Sequence, residues 1–92
     1  MPNLQQLEQP KDKEPQNREA IHDIIREQVI RALGTPLDLL KVQVRLIGNE
    51  RYRVNVLVGA NASSARVGKS YFIVVDGAGR VISATPKITK QY

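Results

Sequence analysis

The chain has 92 residues, a net charge of +5, 41% hydrophobic residues and no Cys. That length makes one small domain, the missing Cys excludes disulfides, thiolate metal sites and thiol nucleophiles, and no run approaches the roughly 18–20 apolar residues of a membrane span. The opening Met1-Pro2-Asn3-Leu4-Gln5-Gln6 is polar, without the basic-then-apolar pattern of a signal peptide, so a cytoplasmic protein away from membranes is expected. The charge is uneven. Residues 1–38 carry five Lys/Arg against seven Asp/Glu, −2, whereas residues 39–92 carry nine Lys/Arg opposed only by Glu50 and Asp76, +7. The positive field of the second part suits anions, nucleic acid or an acidic protein.

In chain order, residues 1–16 hold Pro2, Pro10 and Pro15 among polar residues, with Leu4 and Leu7 apolar. Such a stretch buries too little to offset its ordering entropy, and is read as a disordered polar arm. Residues 17–33 have the spacing of an amphipathic helix: Ile21, Ile24, Ile25, Gln28, Val29, Ala32 and Leu33 share one face, with Ile30 off it. Asn17 suits the N-cap, and Gly34 and Pro36 end the helix.

After Asp38 the period becomes two. Leu40, Val42, Val44 and Leu46 alternate with Lys41, Gln43 and Arg45; Tyr52, Val54, Val56 and Val58 alternate with Arg53, Asn55 and Leu57. A loop Gly48-Asn49-Glu50 sets Leu46 opposite Tyr52, Val44 opposite Val54 and Val42 opposite Val56, keeping each face uniform, and it also sets Arg45 opposite Arg53. Residues 59–68 read as a small, polar, flexible connection. A second hairpin follows, strands 69–76 and 80–85 around Asp76-Gly77-Ala78-Gly79, with Pro86 ending the sheet or marking its edge. Residues 87–92 are a short basic tail, so the domain runs over 17–86. Residues 71–86, YFIVVDGAGRVISATP, resemble the closing hairpin of sensor domains of the PAS and Cache type. That likeness includes no ligand-binding position and implies a hairpin alone. The order of one helix and four strands is loosely similar to cystatin-like layouts.

The stretch SARVGKSYFIVVDG tests for a nucleotide hydrolase, because Gly68-Lys69-Ser70 looks like the end of a phosphate loop. The first Gly of that loop is missing: Ser63 takes its place. The loop must also open a helix whose N-terminal N–H groups hold the phosphates, whereas here it opens a strand. Asp76 then lies about 20 Å from Ser70 along that strand, too far to share a metal ion. His22, the single His, lacks the convergent partners of a metal site or triad and is read as a surface or boundary residue. Asp23 and Glu27, one helical turn apart, read as ordinary helix surface. No enzyme chemistry, cofactor or metal is expected.

The expected fold is α+β, one N-terminal helix on one face of a four-stranded antiparallel sheet of two hairpins. The strand Tyr71, Phe72, Ile73, Val74, Val75 is apolar on both sides. Either Tyr71/Ile73/Val75 or Phe72/Val74 therefore stays on the open face, where a second copy would cover it. That gives the leading expectation, a non-enzymatic interaction module that dimerises or docks on another protein through residues 71–75. The alternative is nucleic-acid or polyanion binding by Lys41, Arg45, Arg51 and Arg53 on the open face of the first hairpin.

Overall fold

The computed structural model describes residues 19–92. The expected arm over 1–16 and the Asn17 cap lie outside them. Helix α1 spans residues 19–33, followed by β1 (Leu39–Gly48), β2 (Arg51–Val58), a 3-10 turn (Ala62–Ser64), β3 (Arg66–Val75) and β4 (Val81–Thr85). The strands form one antiparallel sheet in the order β1-β2-β3-β4, with α1 on one face, the expected α+β arrangement. No described helix is long and apolar enough to cross a membrane.

Alternation decides which side chains meet the helix. Val42 and Val44 of β1, Tyr52, Val54, Val56 and Val58 of β2, and Tyr71, Ile73 and Val75 of β3 are buried with Ile25, Val29 and Leu33 of α1. Each such side chain withdrawn from water contributes about 1.5–3 kcal/mol. The pairings Leu46–Tyr52, Val44–Val54, Val42–Val56 and Arg45–Arg53 follow the expected register. The turn is tighter than expected: Gly48 pairs with Arg51, Ile47 is bulged out, and Glu50 takes φ 56°. A second bulge at Leu40 puts Leu39, not Leu40, against the core, and Leu40 is left 39% exposed. Leu46, expected inside, is 44% exposed at the far end of β1.

The helix is rotated from the face its spacing suggested. Ile30 packs on the core, while Ile24 is 40% exposed and Ala32 is exposed. Two polar side chains on opposite flanks of α1 account for the pose. Arg26 Nε donates to the Val42 carbonyl of edge strand β1 at 2.8 Å. On the other flank, Gln28 Nε2 donates to the Gly79 carbonyl at 2.7 Å and Gln28 Oε1 accepts the Val81 N–H at 3.0 Å. Thus one side chain of α1 holds the backbone at each edge of the sheet, where unpaired strand groups are otherwise a liability.

Two connections carry more structure than their composition suggests. Across 59–68, Asn61 and Ser64 cap the 3-10 turn reciprocally, and β3 begins at Arg66, earlier than expected. The tail at 87–92 folds back: Ile88 packs on the core, and the N–H groups of Gln91 and Tyr92 donate to the Leu33 carbonyl at 2.7 and 3.2 Å. With the Gly34 N–H donating to the Ile30 carbonyl at 2.7 Å, these bonds satisfy carbonyls that a helix C-terminus leaves unpaired.

Candidate functional site

The face of the sheet away from α1 collects the second residue of every alternating pair. One row across it reads Gln43, Asn55, Ser70 and the next Arg45, Arg53, Phe72, Thr85. Beyond these, Arg51 pairs with Val74 and Val74 with Ser83, while Lys41 pairs with Leu57 at the opposite end. No Asp or Glu stands at any of these positions.

The first row is a chain of hydrogen bonds. Asn55 Nδ2 donates to Gln43 Oε1 at 3.4 Å, and Ser70 Oγ donates to Asn55 Oδ1 at 2.7 Å. Arg53 Nη1 donates in turn to Ser70 Oγ at 3.4 Å, which ties its guanidinium to the row. Lys41, Arg45, Arg51 and Arg53 are all exposed. The ion pairs among the described residues are Asp23–Arg26, Glu27–Arg31, Asp38–Arg66 and Asp76–Arg80, and include none of these four. Among the described residues, these four positive charges have no ion-pair partner, a field that favours anions.

Of the residues singled out in β3, Tyr71, Ile73 and Val75 are 3%, 0% and 2% exposed beneath α1. Phe72 and Val74 are the half-buried pair on the open face, flanked by Arg53 and Arg51 on β2. Burial pushes the Tyr71 phenol above the usual tyrosine range, with Tyr92 adding to the effect. Phe72 is the residue sequence reasoning left out of the basic face. The alternation of β2 carries through to β3 once the two are paired, but ten loosely patterned residues, 59–68, hide that pairing from the sequence.

The rest of the chemistry falls where composition suggested or apart from this face. Lys69 and Ser70 lie within β3, and no helix follows them. His22 is half-buried, edge-on to Tyr52 with ring centroids 5.6 Å apart, on the helix side of the sheet. The Asp76 carboxylate closes the second hairpin, accepting the N–H groups of Ala78 and Arg80, each at 2.9 Å. The bonds from Arg80 and Ala78 hold that carboxyl below the usual aspartate range. Among the described residues, no three of His, Cys, Asp and Glu gather where a metal ion would sit.

No family model matches the chain, and no curated protein or solved structure matches it either.

Proposed function

We propose that the open sheet face binds polyanions, with single-stranded nucleic acid the chemistry it fits best. The observation that carries this reading is Phe72 beside Arg53 on a face whose four cations have no carboxylate partner among the described residues. Arginines spread over two strands meet phosphates, and an aromatic ring among them offers a base a surface to stack on. The amide and hydroxyl row Gln43–Asn55–Ser70 adds neutral groups for sugar or base edges. A cytoplasmic, non-enzymatic binding module goes with this reading.

Self-association through β3 is the competing expectation, and charge weighs against it. A twofold pairing through the open face would bring the arginines of one copy against those of the other. With Tyr71, Ile73 and Val75 under the helix, the apolar β3 side chains left for a partner to cover are Phe72 and Val74, both half-buried, and exposed Val67.

The test is fluorescence anisotropy with labelled oligothymidylate over a salt series, together with sedimentation velocity in low and high salt. The expected result is a monomer whose affinity falls steeply with salt. With four contacts the slope of log K against log salt approaches about −3, from roughly −0.7 per phosphate neutralised. A salt-resistant dimer that does not bind the oligonucleotide overturns the reading and restores the β3 interface.

A further inference from the structure

Among the described residues, strand β4 pairs with β3 on one side only. On its other side lies a groove of about 720 Å³ between β4 and the C-terminal half of α1. Gln28 occupies one end of the strand edge, bonded to Gly79 and Val81 much as a neighbouring strand would be. Beyond Val81 no described side chain bonds the backbone of β4. Ile82 stands 64% exposed there, and Ala32, Ala84 and Ile88 give the groove an apolar floor. Its charged lining residues are Arg31 and Lys87, both positive. Arg31 keeps an exposed ion pair with Glu27 at 3.0 Å, and Lys87 has no ion pair among the described residues.

We infer that this groove receives an extended acidic peptide, which adds to β4 as a fifth strand. A free edge supplies main-chain hydrogen bonds, and the pockets beside it select alternate side chains of the incoming strand. Every second side chain of the added strand faces the groove; among these, apolar ones meet the floor and carboxylates meet Arg31 and Lys87. A second copy of this chain fits less well. Antiparallel pairing of β4 with its own copy gathers two Arg31 and two Lys87 around one seam, and like charges so placed are repulsive. The inference does not depend on the polyanion reading, because the groove and the basic face lie on opposite sides of the sheet.

The probe is a short fluorescein-labelled peptide whose groove-facing positions alternate glutamate with valine, with threonine at the positions between (Glu-Thr-Val-Thr-Glu-Thr-Val), compared with its counterpart carrying lysine in place of glutamate. Binding is read by anisotropy on the full chain and by amide hydrogen exchange along β4. The glutamate peptide is expected to bind at least about tenfold more tightly and to slow exchange within residues 82–85. The open-face variant Arg45→Glu/Arg53→Glu keeps that binding. The groove variant Arg31→Glu/Lys87→Glu reverses the preference between the two peptides, and Ile82→Asp weakens both. Equal affinity for the two peptides overturns the inference. So does binding lost with the open-face charges and kept without the groove charges, or binding that leaves β4 exchange unchanged. A dimer that the glutamate peptide fails to disperse places a second copy in the groove and also overturns it.

Discussion

Arg45 and Arg53 stand directly opposite each other across β1 and β2 on the open side of the sheet, and neither forms an ion pair with a described residue. Like charges in that relation are mildly destabilising, by a few tenths of a kcal/mol up to about 1. Replacing one should separate stability from binding. Arg45→Gln is expected to raise the thermal midpoint slightly. It should also weaken oligonucleotide binding and make its salt slope shallower by about 0.7. Calorimetry and a salt titration on the same preparation check both halves.

Gln28 bridges α1 to the β4 edge through two bonds that a shorter side chain cannot make. Gln28→Ala leaves the Val81 N–H and the Gly79 carbonyl without their partner, at a cost of about 1–3 kcal/mol. Chemical denaturation measures the loss. Hydrogen exchange should assign it, with the Val81 amide accelerating more than amides in β2. A uniform acceleration would mean that the bridge is not local to the edge.

Gly34 ends α1 with φ 94°, and a Cβ there would come within 2.8 Å of the Tyr92 carbonyl oxygen. Gly34→Ala combines left-handed strain of about 1–2 kcal/mol with displacement of the residues that bond the Leu33 carbonyl. A total of about 2–3 kcal/mol lowers the melting temperature by roughly 10 °C or more in a domain of this size. Thermal unfolding followed by circular dichroism gives the value.

Asp76 makes the hairpin pH-sensitive. Its carboxyl is held below the usual aspartate range in the fold, mainly by the bond from the Arg80 N–H. Its stabilising contribution is complete above the ordinary aspartate pKa of about 3.9. As pH falls through the lower folded value, that contribution is lost. Asp76→Ala should therefore be less stable than the parent at pH 7, and the gap in melting temperature should close in strongly acidic buffer. A gap that persists at low pH would point to packing rather than charge.

Much of the sheet was readable from sequence because period-two patterning fixes a register wherever one face is polar. The pairs Val42–Val56 and Val44–Val54 follow from that rule. β3 was not readable in the same way. Tyr71 through Val75 are apolar at every position, so only the pairing with β2 decides that Phe72 looks outward beside Arg53. The helix face was misjudged on one flank for a related reason. Periodicity marks Ile24 and Ala32 as apolar but cannot tell that short β4 leaves Ala32 beside a groove, or that Ile24 meets only the Gly79 end of the turn and stays 40% exposed. Gln28 did carry a signal, as the one polar residue within the apolar stripe, and such a position often marks a buried hydrogen bond. The tail gave none: Gln91 and Tyr92 act through backbone N–H groups, which every non-proline residue has.

The order β1-β2-β3-β4 also bears on kinetics. Each strand pairs with its neighbour in sequence, so the sheet closes short loops in succession and needs no long-range crossover. Low contact order of this kind favours rapid folding. The far-reaching contacts are those of α1, with Gln28 reaching Gly79 and Val81, and Gln91 reaching back to Leu33. Helix docking is thus the step that spans the most chain. Substitutions on α1 that face the sheet, such as Val29→Ala, should slow refolding more than equally destabilising changes at the hairpin turns.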